Sequence, residues 1–171
     1  YRTAENAVEG IIITFVDTTS LRRSEHNVLE LSTRLRMAME VGGISWWEWN
    51  CNSNTVTAGD EKSTMLGYEQ GEIGPTYDDW TKLIHPDDIA LMSKAMNDHI
   101  SGKADMYEAD YRIKAKNGDY LWYKDKGGIV KRDASGKPLI LSGVVMNISS
   151  EKQLLKEKED EHLIAEKAIR E

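Results

Sequence analysis

The chain's pattern of apolar and polar positions separates a compact middle from two polar, helix-like ends. Ile11-Ile12-Ile13-Thr14-Phe15-Val16 is a β-branched run too short for a helix, and it predicts a strand over Gly10 to Val16. Asp17-Thr18-Thr19-Ser20 then supplies oxygens able to cap free helix N–H groups. A proline-free stretch follows from Leu21 to Val41 and stops at Gly42-Gly43, predicting a helix. Leu21, Val28, Leu31, Leu35 and Ala38 recur on it with heptad spacing, broken by Ser24. That spacing suits either a helix paired with another or one amphipathic helix packed on its own domain.

The middle reads as a strand, several helices and a three-stranded meander. Ile44 to Cys51 is a Trp-rich strand. A short helix capped by Asp60 and ended by Gly67 follows, and the box Thr76-Tyr77-Asp78-Asp79 opens another. Pro86 starts a longer helix, with Asp87 and Asp88 in its first turn and Ile89, Met92, Met96 and Ile100 as its apolar face before Gly102. Tyr107, Ala109, Tyr111, Ile113 and Ala115 then alternate with charged residues, Asn117-Gly118 makes a hairpin, and Asp133-Ala134-Ser135-Gly136 turns into a strand over Leu139 to Met146. The fold class is α+β: an antiparallel sheet with short helices gathered on one face and a pocket between the layers. The box Ser150-Glu151-Lys152-Gln153 opens a last helix with sparse Leu154, Leu155, Leu163 and Ile164, mostly solvated.

Composition narrows the partners. At 171 residues with charged ends, one core is expected. A net charge of -7, with basic residues scattered among acids, argues against nucleic acid. Cys51 is the single cysteine, so no intrachain disulfide is possible; it reads as a half-buried strand residue and fits a reducing compartment. No run nears the roughly 20 apolar residues that span a bilayer, so no membrane contact by this stretch is expected. The opening at Tyr1, without an initiator Met, reads as a piece cut from a longer chain, which leaves open a membrane anchor elsewhere in the parent.

Trp47-Glu48-Trp49-Asn50, Met65-Leu66-Gly67-Tyr68, Trp80, His85-Pro86-Asp87-Asp88, Lys116-Asn117-Gly118-Asp119-Tyr120-Leu121-Trp122 and Gly143 to Ser149, in that order, resemble a PAS sensor domain. The resemblance covers well over half of the chain. It implies a five-stranded antiparallel sheet over residues 42–149, an incoming connector helix at 20–41 and an outgoing one at 150–171. Phe15-Val16-Asp17-Thr18-Thr19 parallels Val145-Met146-Asn147-Ile148-Ser149 at an offset of 130 residues. Residues 1–19 therefore read as the final strand of a preceding PAS-like domain, which could pair within the chain or with another subunit. They also resemble the PAS-like tail of hybrid sensors that join chemotaxis methylesterase and methyltransferase modules to kinase modules.

The resemblance implies a signal-sensing or signal-relaying module of a sensor histidine kinase-type protein, not a catalyst, acting as a homodimer through its connector helices. Its pocket for a small ligand would draw on Trp47, Trp49, Met65, Trp80, Met92, Met96, Tyr111 and Trp122, which would equally fill a closed core. The signal junctions would be Asp17 and Asn147-Ile148-Ser149, where Asn replaces the common Asp of the family's Asp-Ile-Thr ending. The ligand is open. Haem is not supported by the lone His99, read as a surface residue, and flavin is not supported without the Asn-Cys-Arg-Phe-Leu sequence of flavin photoreceptors. His85 reads as helix-start chemistry rather than a metal site. His26 and His162 lack the His-Glu-x-x-x-Pro context of phosphoacceptors. Two other readings remain: a ligand-free dimerising spacer, and part of a catalytic kinase or cyclase unit.

Overall fold

The computed structural model describes residues 16–170, so all but the last residue of the strand expected over Gly10 to Val16 lies outside them. The described residues form two compact units that divide between Ala38 and Met39, inside the first helix. That helix, α1 (Thr19–Val41), starts two residues before the expected Leu21. The Thr19 N–H donates to Asp17 Oδ1 at 2.9 Å and so sets the boundary. Leu21, Val28, Leu31 and Leu35 are all exposed on it.

The second unit opens with β1 (Ile44–Asn50) and β2 (Thr55–Ala58). Asn54 turns between them at φ +56°, a left-handed conformation that Asn tolerates better than most residues. Cys51 sits half-buried in that turn, not in the strand. The sequence pattern gives no sign of β2, because four residues with two threonines are too short for an alternation to register. The helix α2 (Asp60–Thr64) is preceded by Gly59 as its cap, so Asp60 is its first residue and not the cap expected. In α3 (Tyr77–Thr81) the box forms as the sequence indicates, with Thr76 and Asp79 exchanging side-chain and backbone bonds.

The longest helix of the layer, α4 (Pro86–Ile100), buries Met92, Met96 and His99, while Ile89 is 39% exposed. The buried stripe is thus rotated from the one expected, and His99 is no surface residue. Its ring ties α4 to the sheet: Nδ1 meets the Ala104 carbonyl at 3.0 Å and Nε2 accepts from the Ile129 N–H at 3.1 Å. Three strands complete the sheet: β3 (Tyr107–Lys114), β4 (Tyr120–Arg132) and β5 (Pro138–Asn147). All pairings are antiparallel, in the order β2-β1-β5-β4-β3. The last helix, α5 (Ser149–Arg170), starts one residue before the expected box, which places Ser150 inside the helix. The Asn147 carboxamide accepts from the Ser149 N–H at 3.0 Å in its place.

Register decides what faces inward. One cross-sheet row runs Ala58, Trp47, Gly143, Gly127, Tyr107. The two glycines leave a trough, and the Trp47 indole lies in it. A Cβ added at Gly127 would stand 2.7 Å from Trp47 Cζ2, and one at Gly143 only 2.5 Å from the same carbon. Neither position has a positive φ, so glycine is required here by close approach and not by backbone conformation. The row beside it carries Ser45, Val145, Asp125 and Ala109, all buried.

Gly143→Ala should therefore destabilise the domain by about 3 kcal/mol, since the neighbours are backbone and a packed ring that cannot yield. Chemical denaturation measures this, and a loss below about 0.5 kcal/mol would show the trough to be slack.

Candidate functional site

A cavity lies between the inner face of the sheet and α2, α3 and α4. Its walls include Trp47 and Trp49 from β1, Tyr77 and Trp80 from α3, Met92 and Met96 from α4, and Tyr107 and Tyr111 from β3. The free space is small, ≈ 40 Å³, where one water needs roughly 10–15 Å³ on the same measure. The aromatic rings are held in place: Tyr77 stacks on Trp49 at 4.4 Å, and the Trp49 indole N–H donates to Asn54 at 3.2 Å.

Two buried charged residues share this cavity, and the pocket residues named from sequence included neither. Lys62 is 6% exposed and Asp125 5%. Asp125 is well supplied with donors: the Trp47 indole N–H reaches Oδ1 at 2.7 Å and the Tyr111 hydroxyl reaches Oδ2 at 2.8 Å. The Lys62 ammonium has no hydrogen-bond acceptor among the described residues. It lies 4.3 Å from the Trp80 ring centroid and 5.8 Å from that of Trp47. Burial pushes the Lys62 pKa from 10.5 down to about 8, with Asp125 partly opposing that shift. Burial likewise raises Asp125, while Lys62, Tyr111 and Trp47 oppose it. Tyr107 and Tyr111 are pushed up by burial and by the neighbouring Asp125.

Trp47, Trp49, Trp80, Met92, Met96 and Tyr111, named from sequence, are brought together here. Met65 and Trp122 are not. Met65 follows α2 and borders a separate shallow groove with Lys116 and Leu121. Trp122 pairs with Arg112 and alternates with the inward Tyr123, so strand period two turns it to the outer face. A sequence sign of Asp125 existed in retrospect: it sits two residues after Tyr123 and so shares its inward face.

The outer face carries the junction. Trp122 receives the Arg112 guanidinium at 5.5 Å and the Lys152 ammonium at 5.0 Å from its ring centroid. Its backbone N–H donates to Ser149 Oγ at 2.9 Å and its carbonyl accepts from the Ile148 N–H at 2.8 Å. Lys152 also reaches Asp110 at 2.9 Å. Arg112 in turn donates twice to Asp88 of α4, at 2.8 Å from Nε and from Nη2. The arginine holds the Asp88 carboxyl below its usual range. Asp17 and Thr19 repeat the Asn147 and Ser149 arrangement 130 residues earlier, each acceptor two residues before the N–H it caps.

His85 caps α4, its Nδ1 accepting from the Asp87 N–H at 3.3 Å. His26 and His162 are exposed on α1 and α5. Among the described residues no three His, Cys, Asp or Glu side chains group as metal ligands, and no helix is long and apolar enough to cross a membrane.

Comparison with known proteins agrees with this geometry. A family model described as the PAS fold matches residues 55–145, more than half of the chain. The chain is 25% identical over 151 residues to a probable diguanylate cyclase, DgcE, of Escherichia coli, covering 86% of this chain and 13% of that protein. It is 24% identical over 119 residues to the sensor protein FixL of Bradyrhizobium diazoefficiens, covering 70% of this chain and 23% of that one. The chain thus spans under a quarter of the length of these relatives. Among solved structures, a sensory box histidine kinase/response regulator from Burkholderia thailandensis superposes with a TM-score of 0.64 at 24% identity, covering 80% of this chain and 98% of that one. The N-terminal domain of a diguanylate cyclase with PAS/PAC sensor from Marinobacter aquaeolei gives 0.56 at 29% identity, over 64% of this chain and 98% of the other.

The buried lysine makes a pH signature. Its folded pKa lies below the unfolded one, so between about pH 8 and 10.5 the unfolded chain binds the extra proton and stability rises with pH. Lys62→Met removes this term, so wild type should gain roughly 3 kcal/mol over the variant across that window. Denaturation of both proteins at pH 7.5 to 10.5, about the span of the shift, measures it; a constant difference would mean that Lys62 is solvated.

Proposed function

The chain belongs to the PAS fold family, and on that footing we propose that its cavity receives a small-molecule signal and that α5 carries the change onward to an output module. A PAS domain is a sensory module of signalling proteins and does no bond chemistry of its own. The parent we favour is a sensor histidine kinase, acting in the cytoplasm. The similarity to a diguanylate cyclase gives the second reading, in which the same sensor drives a cyclase.

One observation supports the relay above others: the cavity wall and the outgoing helix share a run of polar contacts. Met92 and Met96 line the cavity from α4, and Asp88 of the same helix holds Arg112 on β3. Arg112 lies over Trp122 on β4, and Lys152 of α5 lies over the same ring. A ligand that moves α4 would therefore alter how firmly the first turn of α5 is held. This requires that the ligand bind one arrangement more tightly than the other. The Asn147-Ile148-Ser149 segment sits at the pivot, with Asn147 capping the helix.

The exposed Leu21, Val28, Leu31 and Leu35 of α1, and Leu154, Leu155, Leu163 and Ile164 of α5, support pairing of each helix with that of a second copy. Replacing Val28 and Leu35 with Lys should lower the association state seen by sedimentation. An unchanged state would remove α1 from the dimer.

Trp122→Ala tests the relay. Both cation contacts vanish while the inner face stays intact, so amide exchange in the first turn of α5 should quicken by about tenfold. Exchange at the wild-type rate would sink the relay through Trp122. In the full-length protein, Asn147→Asp keeps the cap but adds a negative charge at the helix start and should shift the output. Native and denaturing mass spectra of the domain report whether it retains a molecule.

A further inference from the structure

The two charged residues of the cavity differ in what they lack. Asp125 already has a donor on each oxygen, from Trp47 and Tyr111. Lys62 has three N–H donors, ring faces to lie over and no acceptor among the described residues. Leaving such donors unmade is costly in an apolar site, so the free space beside them calls for an oxygen acceptor. Charge then selects which kind. Lys62 and Asp125 balance each other, so the pocket as a whole is neutral. An entering cation would meet Lys62 at the aromatic faces it occupies, and an entering anion would bring a second negative charge beside Asp125 in a buried, aromatic-lined site.

We propose that the cavity takes a small uncharged carbonyl compound, a ketone or amide of a few heavy atoms, whose oxygen accepts from Lys62 Nζ. Its apolar part lies against Trp49, Trp80 and Met96. The size follows from ≈ 40 Å³ of free space, room for a group the size of two or three waters. This rests on the reading of the cavity as the sensing site and names the ligand class for it. So small a ligand binds weakly, with a dissociation constant on the order of millimolar.

The five tryptophans give the test. Trp47, Trp49 and Trp80 line the cavity, whereas Trp46 is 40% exposed and Trp122 lies on the outer face with the junction cations. Acetone, acetamide and acetate are titrated into the labelled domain while the indole N–H resonances are followed. Acetone or acetamide should shift the signals of Trp47, Trp49 and Trp80 saturably and leave Trp46 and Trp122 unmoved. Acetate should bind at least about tenfold more weakly. Lys62→Met should abolish the shifts, and Lys62→Gln, which keeps a donor in place, should retain weakened binding, with the outer-face signals reporting that both variants are folded.

Acetate binding as tightly as acetamide, or shifts that persist in Lys62→Met, would overturn the ligand class and leave the cavity a sensing site. Absence of any saturable shift would overturn the proposal. If filling the cavity with Met96→Trp also left the output of the full-length protein unchanged, the sensing reading would fall with it.

Discussion

Trp47 is the side chain on which the interior is organised. Its indole can reach Asp125 only by lying flat across the sheet, and it lies flat only because Gly143 and Gly127 stand side by side on the next two strands, β5 and β4. The hydrogen bond to Asp125, the edge-on packing against Tyr107 at 6.3 Å and the ring surface offered to Lys62 all follow from that one placement. A packed apolar core would be cheaper to form than one holding a lysine and an aspartate. Their retention inside an aromatic cavity is what distinguishes this interior from simple core filling.

The two faces of the sheet divide the labour by strand period. Odd-numbered residues of β3 and β4 face inward, and among them Tyr107, Tyr111, Ile113 and Asp125 line the cavity. Even-numbered ones, Arg112, Trp122, Lys124 and Lys126, build a charged outer surface against which α5 begins. The cavity and the start of the last helix are thus adjacent through the thickness of a single sheet. Asp88 bridges them from α4, which among the described residues is the one helix that both lines the cavity and grips the outer-face arginine.

Helix starts were legible because they are written in contiguous residues. The Thr76 and Asp79 box and the Pro86 start with its two acids form as read. The alternation of Tyr107 to Ala115 likewise gave the inward face of β3. Errors arose where the deciding neighbour was distant. His99 reads as polar and exposed until Ile129 and Ala104 supply partners for both ring nitrogens. Met65 and Trp122 read as pocket residues because they are large and apolar, yet facing is set by strand pairing and by where α2 ends. Lys62 and Asp125 were passed over since charged residues are seldom buried; the strand alternation with Tyr123 marks Asp125 as inward, but nothing local marks Lys62.

By itself the sequence determined the helix starts, the three-stranded meander and the α+β class, since each depends on periodicity and capping groups within a few residues, and the family likeness, which rests on the order of its motifs between Trp47 and Ser149. The short β2, the trough beneath Trp47 and the membership of the cavity were decided only by tertiary structure. They depend on which residues lie opposite each other across strands far apart in the chain, as Ile44 and Met146 do. Register is a property of paired strands, and no single segment carries it.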